Sequence, residues 1–210
     1  MVRKDIKEFV DTLPKDVTLV AATKYLAADE MKDFLKAGVN NFGENRVDSF
    51  LEKYEALKGY NVVWHFIGHL QRNKALKVIG KIDYLHSLDS LDLAKIIDSH
   101  RKTPLNTFVE VSINLEETKN GVPFYKVEEF VSELIKFKNI KLVGLMMMAV
   151  KNADELSLKD QFKKLALLRI DLEKKFNISI PYLSMGMSDD YLEAIEEGAT
   201  HIRLGRILLQ

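Results

Sequence analysis

Thr18-Leu-Val-Ala-Ala-Thr-Lys24 is an apolar, strand-like run that ends in one lysine, with no other charged residue between Asp16 and Asp29. A strand that delivers a lone ammonium to its carboxyl end leaves two readings open. Lys24 either emerges into solvent with its stem packed, or it is a reactive amine. The pattern on either side of this run decides which architecture it belongs to.

Upstream, Ile6, Phe9, Val10 and Leu13 fall at helical spacing and Pro14 stops the helix. Downstream, a helix over Asp29 to Ala37 is closed by Gly38, Asn41-Phe42 forms a short strand, and Val47, Phe50, Leu51 and Tyr54 repeat a helical face that Gly59 ends. The alternation continues with strands at Val62 to Ile67, Ile82 to Leu85, Asn106 to Ile113, Ile140 to Met146, Pro181 to Leu183 and His201 to Leu204. Helices are expected between them over Asn73 to Ile79, after a Ser87 to Ser90 cap, after Pro123, along the stripe Leu158, Phe162, Leu165, Leu168 and Leu172, and over Ser188 to Glu197.

Eight strands alternating with helices predict a parallel sheet, and the early strands recur about every 22 residues, a compact repeat. A single (β/α)8 TIM barrel over residues 1–210 fits this length, near the lower limit of the class. An open doubly wound sheet would need a switch-point motif, and neither G-x-G-x-x-G nor a P-loop occurs.

Composition narrows the function classes. The 210 residues are 47% apolar and 30% charged, enough for one substantial core. Acidic and basic residues balance at 31 each, so no broad field recruits nucleic acid and a small-molecule partner is expected. There is no cysteine, which removes thiolate chemistry and disulfides. The charged, amphipathic start lacks a signal-peptide core and the longest apolar run, Leu142 to Val150, is too short to span a membrane, so a cytoplasmic protein is expected.

In a barrel the loops after the strands share one mouth, which collects Lys24, Asn45, Met146 to Ala149, Ser184 to Ser188 and Gly205. Ser184-Met-Gly-Met-Ser188 joins the seventh strand to a helix; Gly186 lets backbone approach a ligand and Ser188 stands where a helix N-cap would. Together with Gly205 this segment is either a phosphate cradle or ordinary turn chemistry. Strand alternation turns His201 and Arg203 inward and Ile202 and Leu204 toward the helices. A buried Arg203 calls for a partner, either a ligand or a carboxylate such as Glu110. A lysine, an anion cradle and an inward arginine at one mouth suggest a phosphorylated aldehyde held as a Schiff base, which requires Lys24 to lose its proton through partial burial and nearby cations. His65 and His69 straddle Gly68 and do not form a helical metal pair.

The segments Ala22-Thr-Lys24, Phe42-Gly-Glu-Asn45, His65-Phe-Ile-Gly-His-Leu-Gln-Arg-Asn-Lys74, Glu117-Thr-Lys-Asn-Gly121, Ser184-Met-Gly-Met-Ser-Asp-Asp190 and Arg203-Leu-Gly205, in order over nearly the whole chain, resemble the YggS/PROSC family of pyridoxal phosphate homeostasis proteins. The resemblance implies the alanine racemase amino-terminal barrel, the type III fold of pyridoxal 5'-phosphate proteins. It implies that Lys24 holds the cofactor as a Schiff base, that Arg203 faces the pyridine nitrogen, that Asn45 lies beside the cofactor, that Ser188, with amides around Gly186, Met187 and Gly205, holds the phosphate, and that Ser184 is among the cofactor-binding residues. Lys119 matches a further family lysine. It also implies binding and buffering of the cofactor, with PLP-dependent apo-enzymes as possible recipients, rather than turnover. A monomer is expected.

Departures from the family pattern are Tyr25-Leu26-Ala27 after Lys24, which lacks the usual second lysine, and Arg206 in place of a small residue, where it either adds to phosphate binding or points away. The alternative function is a Schiff-base racemase or lyase acting on an amino acid or phosphorylated substrate. Such an enzyme would need a second base and a lid, which a chain ending soon after its eighth strand is not expected to supply.

Overall fold

The computed structural model describes residues 2–113 and 120–209. Eight parallel strands close into a barrel: β1 (Thr18–Ala22), β2 (Asn41–Glu44), β3 (Val63–Phe66), β4 (Tyr84–Leu88), β5 (Leu105–Ser112), β7 (Ile140–Met146), β8 (Tyr182–Ser184) and β9 (His201–Leu204). The two-residue β6 (Val122–Pro123) pairs with β5 outside the ring. Pairing of β1 with β9, Val20 opposite Arg203, completes the circle. The doubly wound alternative is thereby excluded, since that sheet has two free edges and this one has none.

Helices α1 (Ile6–Asp11), α2 (Ala28–Lys36), α3 (Val47–Ala56), α4 (Ala75–Val78), α5 (Leu91–His100), α6 (Val127–Leu134), α7 (Glu155–Phe176) and α8 (Tyr191–Glu196) occupy the connections. Ser90 caps α5 and Asp154 caps α7 through their side-chain oxygens. The main core lies between barrel and helices and includes Phe34, Phe42, Phe50, Trp64 and Phe66, whose rings meet largely edge to face.

A second layer fills the barrel itself. Phe108, Val143 and Met146 pack there with Tyr84 and Tyr182, and His65, His86 and His201 lie among these rings. Two bulges shape this layer. Val143 is the extra residue between Thr107↔Leu142 and Phe108↔Gly144, and β4 carries an extra residue between Leu85↔Thr107 and Leu88↔Val109. The fourth strand therefore runs through Leu88, three residues beyond the expected Leu85, and brings His86 into the interior.

Candidate functional site

Lys24 leaves the barrel two residues after β1, at the rim of a cavity of about 230 Å³ that Asn45, Glu110, Met148, Met187 and Arg203 also line. Its side chain is exposed rather than partly buried, with Nζ 4.6 Å from the centroid of the Tyr25 ring. The backbone that carries it is fixed from the helix side. Lys53 donates 2.6 Å hydrogen bonds to the Thr23 carbonyl and to Glu44 Oε1, and Thr23 Oγ1 donates to the same carboxylate oxygen at 2.5 Å. Ser49 donates to Glu44 Oε2. Lys53 and Glu44 are both buried, so the pair stands on complete hydrogen bonding around it.

Arg203 points into the barrel, as strand alternation predicts, and is 5% exposed. Its described partners are a hydroxyl and a carbonyl: Nη1 donates to Ser184 Oγ at 2.7 Å and Nη2 to the Met147 carbonyl at 2.9 Å. Burial pulls its pKa down to about 10, against the fields of Glu110 and Asp190. It therefore stays protonated at neutral pH. Glu110 faces the same cavity and acts on Arg203 through its field; burial, with the field of Asp89, pushes its own pKa up to about 7.

The loops after β8 and β9 meet as expected, but by different contacts. The following helix begins at Tyr191, so Ser188 is not its N-cap; Asp190 occupies that position. Ser188 Oγ instead accepts from the amides of Gly205 (3.3 Å) and Ile207 (3.4 Å), joining the two loops. Asp190 turns back and accepts from the Met187 amide at 2.5 Å. Gly186 has φ +89, and a Cβ there would come within 2.7 Å of Ala194 Cβ. Ser184 stands apart from this loop: it is fully buried and its hydroxyl meets Arg203 and His86. Arg206 pairs with Asp189 on the exposed surface and is not among the residues that line the cavity. Lys119 lies outside the described residues.

His201 is inward, as strand alternation predicts, but the contacts it and His65 make inside the barrel, and the whole of His86, have no signal in the sequence. Asn41 Oδ1 is 3.0 Å from His65 Nε2, His65 Nδ1 is 2.8 Å from His86 Nε2, and His86 Nδ1 is 2.8 Å from Ser184 Oγ. Burial first, then the field of His201, holds His65 at about 3, and burial, followed by the fields of His65, His201 and Arg203, holds His86 well below the ordinary imidazole range. His201, which meets Thr200 Oγ1, sits at about 4 through burial and the field of Arg203. All three are neutral at pH 7.

A closed parallel barrel with a lysine beyond its first strand and an arginine from its last, both at one mouth, defines a class of barrels that hold a small ligand at the carboxyl ends of their strands. This chain belongs to the family of the alanine racemase N-terminal domain, which matches residues 2–209. It is 39% identical over 193 residues to the pyridoxal phosphate homeostasis protein of Aquifex aeolicus, covering 90% of this chain and 85% of that protein. It is 30% identical over 198 residues to the protein of the same name from Escherichia coli, covering 91% and 84%. PipY of Synechococcus elongatus, solved with PLP bound, superposes with a TM-score of 0.91 at 28% identity, over 98% of this chain and all of that one. Alanine racemase of Clostridium difficile shares the fold, with a TM-score of 0.80 at 16% identity, over 99% of this chain and 57% of the racemase.

Proposed function

We propose that this protein binds pyridoxal 5'-phosphate at the barrel mouth through Lys24 and serves intracellular homeostasis of that cofactor. The observation that carries the reading is a cavity with Lys24 at its rim, the donor-only Arg203 in its wall, and a buried acceptor, Asn45 Oδ1, that has no hydrogen-bond partner among the described residues. An orphaned polar atom in a cavity wall costs stability unless a ligand completes it. The cofactor supplies an aldehyde, a ring hydroxyl, a pyridine nitrogen and a phosphate when bound, and the hydroxyl is the donor that an acceptor such as Asn45 Oδ1 lacks. Lys24 is the amine for the aldehyde and Arg203 the donor for the pyridine nitrogen, with N–H groups beyond its two described bonds. The Met187 to Ser188 turn and Gly205 lie where the phosphate would be held, and Gly186 shapes that turn.

Arg203 favours holding over turnover. A protonated arginine donates and does not accept, so the ring nitrogen gains no proton here and the ring remains a weak electron sink. The reading treats residues 1–210 as one domain, acting as a cytoplasmic monomer that exchanges cofactor with PLP-dependent apo-enzymes. No helix among the described residues is long and apolar enough to cross a membrane.

The test is spectroscopic. Protein reconstituted with pyridoxal 5'-phosphate is expected to show a visible band that borohydride bleaches with mass added at Lys24, and Lys24→Ala is expected to show neither. Absence of the band in the unmodified protein overturns the proposal. Lys24-dependent racemisation or aldol cleavage would replace it with the enzyme reading.

A further inference from the structure

Asn41, His65, His86, Ser184 and Arg203 form one unbroken line of polar contacts, each between 2.7 and 3.0 Å, from the amino-terminal end of β2 to the cavity wall. Four of the five are buried; Asn41, at the barrel floor, is half-buried. The direction of the protons follows from the two ends. Arg203 can only donate, so Ser184 Oγ accepts from it and keeps its own proton free to donate to His86 Nδ1, the sense that the Asn41 end requires. A neutral His86 then carries its proton on Nε2 and donates to His65 Nδ1. Neutral His65 in turn donates from Nε2 to Asn41 Oδ1. The other end agrees, because the Asn41 amide nitrogen donates to Asn40 Oδ1 and so turns its oxygen toward His65.

Each group therefore presents a lone pair toward Arg203 and a proton toward the floor. Bonds aligned in one sense polarise one another, by roughly 10–30% per bond. A charge-neutral chain of this kind can orient a buried guanidinium without neutralising it, whereas a carboxylate partner would compete with the ligand for its charge.

We propose that Asn41, His65, His86 and Ser184 are a directional hydrogen-bond relay that fixes the Arg203 guanidinium from the barrel floor, making the two histidines positioning residues for the ring that Arg203 meets. The value of that position rests on the cofactor reading given above; the relay itself does not.

The experiment separates the two. In cofactor-free protein at pH 7, long-range 1H–15N correlation of the imidazoles is expected to show His65 and His86 each as a single Nε2–H tautomer, with the Arg203 guanidinium protons resolved. A Nδ1–H tautomer or an averaged mixture at either ring overturns the relay. Asn41→Ala, a change at the half-buried end, is expected to free the His65 tautomer and also to move the His86 and Arg203 resonances. A response confined to His65 would reduce the line to separate packing contacts and overturn the proposal. For the positioning role, Ser184→Ala is expected to weaken pyridoxal 5'-phosphate binding about tenfold, with borohydride still trapping the cofactor on Lys24, and Ser184→Thr, which keeps the hydroxyl, to restore most of it. Wild-type affinity in the alanine variant, or a threonine variant worse than alanine, overturns that role. If the unmodified protein binds no cofactor, the functional reading fails while the tautomer result still decides the relay.

Discussion

Glu110 shows how a single side chain at the mouth sets a pH response. Its folded pKa of about 7 lies above the ordinary 4.5, so the folded protein keeps a proton that the unfolded chain releases. The stability it contributes is complete below about pH 4.5 and is lost as pH rises through 7, to the order of 3 kcal/mol. Glu110→Gln, which resembles the protonated side chain, is expected to raise the thermal midpoint of cofactor-free protein at pH 8 and to change it little at pH 4.5. An equal effect at both values would mean that the carboxyl is hydrated. Arg203 is the contrasting case, since its charge survives burial through a hydroxyl and a carbonyl. Lys24 is different again: its place beyond the first strand is legible in the sequence, but its exposure over Tyr25 is not, because a neighbouring aromatic ring leaves no signature in strand alternation.

Among the elements, β7 and β8 approach closely at Gly144. A Cβ on Gly144 would lie 2.1 Å from the Tyr182 carbonyl oxygen and 2.9 Å from Phe108 Cε1, so backbone and ring together exclude it. Gly144→Ala is expected to lower stability by about 1–3 kcal/mol, read as a lower urea midpoint with unchanged slope. A variant as stable as wild type would show that β8, only three residues long, shifts freely. The order of the eight barrel strands was legible, because helical stripes such as Leu158, Phe162 and Leu165 carry their own period and apolar runs such as Ile140–Met146 stand between them. What escaped lies where the period breaks. The irregular register of β4 against β5 carries the strand past Leu85, where His86 turns inward and Ser87 donates to the Gly68 carbonyl. Lys53 was hidden for another reason: on a helix it reads as one more exposed lysine, and only the fold brings Glu44 to it.

At the scale of the whole molecule, the barrel interior is a store of unprotonated imidazole. His65 at about 3, His201 at about 4 and His86 well below 6.5 stay neutral in the folded state, while the unfolded chain takes up protons below about 6.5. Their contribution is complete above that value and is lost as pH falls toward 4, at up to about 1.4 kcal/mol per pH unit for each histidine. Urea midpoints at pH 7, 6 and 5 are expected to fall progressively, outweighing the opposite trend of one Glu110; a flat series would mean that water reaches the rings. The closure of the barrel also has a consequence in time. Lys24 follows the first strand, Arg203 belongs to the last, and their neighbours pair only when β9 docks on β1. During synthesis the chain carries its lysine long before it has the arginine, and contacts between the two ends of a sequence form late because the intervening loop must first be closed. A nascent chain thus has no mouth until its final strand arrives, so capture of a ligand there would report on the completion of folding.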